Sequence, residues 1–150
     1  MKYLKKVYYL SSVKCEQKKE LHISASYINF FTWYKRETEE GTTLHCLNEK
    51  NSMNPIIDGL PDNVNQIVFD GEFYKCTCYY VADKGEMKKF SAWINPDNIV
   101  SMYSLLQDDT QIVFESGERI LIANKLSEVL KSMFEHNKKI KERRKLKYGK

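Results

Sequence analysis

The stretch that decides the fold runs from residue 99 to residue 134. It opens with Ile99-Val100-Ser101-Met102-Tyr103-Ser104-Leu105-Leu106, breaks at Gln107-Asp108-Asp109, and resumes with Thr110-Gln111-Ile112-Val113-Phe114. A second break, Glu115-Ser116-Gly117, precedes Arg119-Ile120-Leu121-Ile122-Ala123. Three runs of β-branched and aromatic residues separated by short acidic or Gly-bearing breaks predict antiparallel strands joined by tight turns. Then the period changes. Leu126, Val129, Leu130, Met133 and Phe134 fall at i, i+3, i+4, i+7 and i+8, which predicts an amphipathic helix with that stripe laid on one sheet face. Asn124 stands where an N-cap is expected.

Outward from this core the same grammar continues toward the N-terminus. Asn95-Pro96-Asp97-Asn98 predicts a turn, residues 87–94 a strand, and Asp83-Lys84-Gly85-Glu86 the turn before it. Ile67-Val68-Phe69, Asp70-Gly71 and residues 73–81 predict a hairpin with a two-residue type I′ turn. Residues 48–65, rich in Asn, Asp, Pro and Gly, are the longest irregular connection, and any boundary in the chain is expected there. Residues 42–47 predict a short strand after a Glu39-Glu40-Gly41 turn. Residues 21–34 form a long β-prone stretch, and its run from Tyr27 to Tyr34 has apolar residues on both faces, implying two-sided burial or a bulge. Residues 5–13 predict the first strand. The predicted fold is α+β: a mostly antiparallel, strongly twisted sheet or half-open barrel over residues 3–123, with one C-terminal helix starting near Lys125. Residues 1–137 are read as one β-rich domain that includes the packed part of the helix, and 138–150 as a basic tail.

Residue chemistry sets the bounds on function. The chain has 150 residues, enough for a self-sufficient core, and its ten Tyr suit half-buried sheet faces. The run after Met1-Lys2-Tyr3-Leu4-Lys5-Lys6 is too short for a signal peptide, and nothing approaches the length of a membrane span. A cytoplasmic protein with no membrane partner is the expectation, with Cys15, Cys46, Cys76 and Cys78 as reduced thiols. Lys outnumbers Arg 20 to 4 beside eleven Ile and four Ala, the bias of an AT-rich coding sequence such as those of low-GC bacteria and their phages.

Charge is the strongest functional signal. Residues 138–150 hold eight Lys/Arg against Glu142, a net of +7; the whole chain is +4, which leaves −3 for residues 1–137. Lys138, Lys139, Lys141, Arg143, Arg144, Lys145 and Lys147 are therefore the candidate nucleic-acid-binding residues. A helix C-terminus favours a few cations through its dipole, but that needs two or three rather than eight. An acidic protein partner and simple solubility are the other readings of the run.

Residues 91–134 carry a family likeness. Trp93-Ile94-Asn95-Pro96-Asp97-Asn98-Ile99-Val100, Thr110 to Phe114, Ser116-Gly117-Glu118-Arg119-Ile120-Leu121-Ile122 and Leu126-Ser127-Glu128-Val129 together resemble the short bacterial FlbD-like proteins and the first half of LytTR-type DNA-binding domains. The segment from Trp93 to Gly117 also looks like the C-terminal part of the ComK competence activators. LytTR-type domains continue with a second strand set and a His-Arg-Ser-type segment that contacts DNA. Here the helix runs into the basic stretch, so no LytTR contact residue carries over. The resemblance implies a small β-rich regulatory or accessory module, often linked with DNA, and not an enzyme.

Other chemistry is weaker. Cys76-Thr77-Cys78 with Cys15, Cys46, His22 or His45 could offer zinc ligands, but Cys-x-Cys on a strand puts both sulfurs on one face by alternation, and the better reading is two small buried residues. No cofactor or metal is expected. His22, His45 and His136 lie in no nucleophile-positioning motif, and six scattered Gly build no phosphate loop. The carboxylate pairs Glu39/Glu40 and Asp108/Asp109 fall in predicted turns. Tyr27, Phe31, Trp33, Tyr74, Tyr79 and Tyr80, with Lys35, Arg36 and Lys75, could form a base-stacking platform; cross-strand aromatic pairing is the plainer account. The expectation is a non-enzymatic bacterial or phage accessory or regulatory protein that binds nucleic acid through its basic helix. The alternative is a protein-binding inhibitor or adaptor, for example one occupying a host nucleoprotein machine. An exposed edge strand is a route to a homodimer.

Overall fold

A serine hydroxyl interrupts the long strand expected over residues 21–34. In this computed structural model, which describes residues 4–10, 19–47, 54–81, 85–106 and 108–148, Ser24 Oγ accepts from Ser26 N at 3.3 Å and residues Ala25–Tyr27 make one tight helical turn. Competition of a short hydroxyl side chain with the strand ladder explains the break. On either side lie β2 (Glu20–Ile23) and β3 (Ile28–Arg36). In β3 the run Ile28 to Phe31 is wholly buried and a bulge falls between Ile28 and Phe30, as the two-faced apolar pattern predicts.

The remaining elements are β1 (Lys5–Tyr8), β4 (Glu39–Cys46), β5 (Ile56–Asp58), a helical turn α1 (Pro61–Asn63) that widens through Val64–Val68, β6 (Tyr74–Val81), β7 (Met87–Ile94), β8 (Ile99–Leu106), β9 (Asp109–Phe114), β10 (Arg119–Ile122) and α2 (Leu126–Tyr148). β1 and β2 form an antiparallel pair; the other eight strands follow the order β5-β4-β3-β7-β6-β10-β9-β8. The fold is α+β, and the antiparallel sheet is not closed into a barrel, because its end strands β5 and β8 are not paired with each other. The predicted strand over residues 5–13 is seen as β1 with a bridge from Tyr9 to Ile57; residues 11–13 lie outside the described residues.

Two local expectations are corrected. Glu39-Glu40-Gly41 is strand, not turn: the chain reverses at Glu37, whose φ is 56°, and Gly41 sits in β4. A Cβ at Gly41 would lie 2.5 Å from the Ile57 carbonyl oxygen, so the glycine serves the close approach of β5. Asp70 and Gly71 do adopt the left-handed pair that a type I′ turn requires, with φ of 55° and 73°. The segment before them, however, is helical. Pro61 starts that helix at its first position, and Phe69 N and Gly71 N donate back to Val64 O (3.3 Å) and Asn65 O (2.7 Å). Left-handed residues close a helix as readily as a hairpin. The buried Asn65 amide then takes the place of a strand partner, donating to Phe73 O at 3.1 Å and accepting from Phe73 N at 3.0 Å.

The chain groups into two compact units, residues 1–76 with 91–98 and residues 77–90 with 99–150. The core of the first is aromatic. Phe31 stacks on Trp93 with centroids 5.8 Å apart, and Phe69 and Phe73 close around it at 6.0 and 4.8 Å. Val7, Ile23, Ile28, Leu44 and Ile57 fill the remainder. The Asn95-Pro96-Asp97-Asn98 turn is fastened to the turn after β2 by side-chain amides. Asn95 Nδ2 donates to Ala25 O (3.0 Å) and Ile28 O (3.1 Å); Asn98 Nδ2 donates to Ser26 O (3.0 Å), Ile28 O (3.1 Å) and Asn29 Oδ1 (3.3 Å).

In the second unit the alternation of β9 and β10 is regular. Thr110, Ile112 and Phe114, then Ile120 and Ile122, point inward. Cys78, Val129, Met133 and Ile140 are also buried. Thr110 Oγ1 donates to Asn124 O at 2.8 Å, tying the start of β9 to the lead-in of α2.

Candidate nucleic-acid interface

The interface begins with how α2 is seated. Its 23 residues give a rod of about 34 Å. The buried positions are Val129, Met133 and Ile140, with Leu126 and His136 half-buried. This is a narrow seam at steps of three and four. Two residues of the predicted stripe lie off it, Leu130 at 47% exposure and Phe134 at 71%. The packed part also reaches one turn beyond Asn137, to Ile140.

Past that point the helix continues unbroken to Tyr148. Lys, Glu, Arg and Leu are all good helix formers, and cations at a C-terminus are favoured by the helix dipole, so the sequence sustains the helix without packing. Every side chain from Lys141 to Leu146 is exposed, as are Lys138 and Lys139. All seven predicted contact residues, Lys138, Lys139, Lys141, Arg143, Arg144, Lys145 and Lys147, therefore belong to one helix. Lys150 lies outside the described residues.

At about 100° per residue, the six exposed cations up to Lys145 are spread around the whole helix axis. Taking Lys138 as zero, Lys139 stands at about 100°, Arg143 at 140°, Arg144 at 240°, Lys141 at 300° and Lys145 at 340°. No arc wider than about 100° lacks a cation. Glu142, at about 40°, lies within one of the two widest gaps.

Of the six aromatics weighed as a stacking platform, Phe31 is fully buried against Trp93, whereas Tyr27, Tyr80 and Trp33 are exposed, Trp33 under Lys35, whose Nζ lies 5.4 Å from its ring centroid. Lys75 Nζ sits 5.1 Å from the Trp93 ring centroid and 3.3 Å from Asp62 Oδ1, to which Trp93 Nε1 also donates at 3.2 Å.

His45 is held in a structural role. His45 stacks on Phe30 with centroids 4.2 Å apart, and burial lowers its pKa from 6.5 to about 4, so it is neutral at pH 7. Asn54 Oδ1 accepts from Cys46 N at 3.2 Å, which turns its Nδ2 toward His45 Nδ1 at 3.5 Å. His45 Nε2 therefore carries the proton and donates to Thr32 Oγ1 at 3.3 Å. In that tautomer it cannot deprotonate Thr32. A shallow cleft of about 310 Å³ is lined by residues including His22, Ser24, Ser26 and Tyr27. Ser24 Oγ is taken up by Ser26 Oγ at 2.8 Å, and His22 Nε2 by Glu20 at 3.2 Å. Among the described residues no three His, Cys, Asp or Glu side chains are placed to hold a metal ion; Cys46 and Cys78 are buried and Cys76 half-buried. Cys15 lies outside the described residues. Among them, too, no helix is long and apolar enough to cross a membrane.

No family model, curated protein or solved structure matches this chain.

Proposed function

We propose that this protein binds nucleic acid through the cationic end of α2, as a non-enzymatic accessory or regulatory protein. One observation carries the reading: seven Lys/Arg of residues 138–148, against Glu142 alone, stand on one helix whose side chains from Lys141 to Leu146 are all exposed. The resemblance of residues 91–134 to DNA-linked β-rich modules points the same way. Binding is driven by counterion release, with each neutralised phosphate contributing about −0.9 to the log–log salt slope on duplex DNA.

The test replaces Lys138, Lys139, Lys141, Arg143, Arg144 and Lys145 by Gln together. Glutamine keeps the helix, and the substitution leaves the buried Ile140 in place, which a deletion would not. Titration at several salt concentrations should give the parent a slope of about −4 to −6 and the variant, which keeps Lys147 and Lys150, a slope no steeper than about −2. Unchanged affinity and slope would overturn the reading. A partner retained in a pull-down after nuclease treatment would favour the protein-binding adaptor instead.

A further inference from the structure

The distribution of charge around α2 narrows the class of nucleic acid, and the inference rests on the reading just given. We infer that α2 enters the major groove of duplex DNA, its cations meeting phosphates on both rims.

A single strand lies along one side of a helix and would need cations on one arc. Here they stand on opposite sides: Lys139 and Arg143 at about 100–140°, Lys141 and Lys145 at about 300–340°. A helix cationic on opposed faces is satisfied where negative charge flanks it on both sides. The major groove of B-form DNA is about 12 Å wide and admits a helix of about 10–12 Å diameter. The stretch from Lys141 to Tyr148 adds two turns, about 12 Å, enough to lie along the groove floor. A-form RNA has a deep, narrow major groove that excludes side chains. Sequence-tolerant single-strand binding draws on aromatic stacking next to the cations, and no aromatic residue stands among the exposed cations from Lys138 to Lys145.

Pairs of exposed cations on the two sides provide the test, since their removal does not touch the buried seam. The full chain is titrated with one sequence of about twenty base pairs as duplex DNA, as duplex RNA and as single-stranded DNA, a length beyond the contact span of one helix. Duplex DNA should bind about tenfold or more tighter than the other two at matched salt. K139A/R143A and K141A/K145A should each weaken duplex binding by a similar factor and each reduce the salt slope by about 2. Equal or tighter binding of the single strand or of duplex RNA overturns the groove, as does an effect confined to one of the two pairs. Failure to bind any of the three overturns the nucleic-acid reading itself, and the groove with it.

Discussion

The aromatic core around Phe31 and the far end of α2 show opposite ways in which a chain commits its residues. Around Phe31 everything is buried and satisfied: rings pack on rings, and among the described residues no buried side-chain nitrogen or oxygen lacks a partner. From Lys141 onward nothing that is described is buried. The first region is fixed by excluded water, the second by helix propensity and the helix dipole rather than by burial. Stability is therefore sensitive to the first and indifferent to the second, whereas a polyanion senses only the second.

The largest effect expected from breaking this contrast is at Phe31. Phe31→Ala should cost about 3–5 kcal/mol in denaturant unfolding, since it removes the ring that Trp93, Phe69 and Phe73 all contact. A loss under 1 kcal/mol, on the order of an exposed-site change, would mean the core is not where these rings are.

His45 sharpens the comparison through pH. Its folded pKa is lowered to about 4 and the unfolded chain titrates near 6.5, so between these values the unfolded state binds more protons. The contribution is complete above pH 6.5, falls as pH drops through that window and is gone below about 4. It amounts to about 3 kcal/mol. Unfolding free energy measured from pH 7 to pH 4 should show this fall, and His45→Gln should flatten it.

Asn98→Ala comes next. It removes the amide that donates to Ser26 O, Ile28 O and Asn29 Oδ1, of which Ile28 O keeps Asn95 Nδ2, at a cost of about 1–3 kcal/mol. The smallest effect separates two residues of the same sequence stripe. Phe134→Ala should change stability by no more than about 0.5 kcal/mol. Val129→Ala, on the buried seam, should cost about 1–3 kcal/mol. Equal costs would restore the wide stripe that the periodicity suggests.

What was legible in the sequence follows from whether a signal is local. The strands and turns from Met87 to Ile122 were readable because alternation and turn chemistry act over a few residues. The helix and the separation of charge were readable for the same reason. At Val64–Val68 and Gly41 local chemistry allows two answers. A left-handed pair such as Asp70-Gly71 closes a hairpin or a helix, and a glycine bends a chain or admits a neighbour. Asn65 bonding to Phe73, and the Ile57 carbonyl against Gly41, settled them from a distance.

The sequence by itself determined that this protein has an antiparallel sheet, a terminal helix and a cationic end, because period, turn residues and charge are properties of neighbours in the chain. Tertiary structure alone decided which arc of the helix is buried, so that Val129, Met133 and Ile140 face inward while Leu130 and Phe134 do not. The physical reason is that periodicity names an apolar stripe, but the width of the seam is set by the surface that receives it.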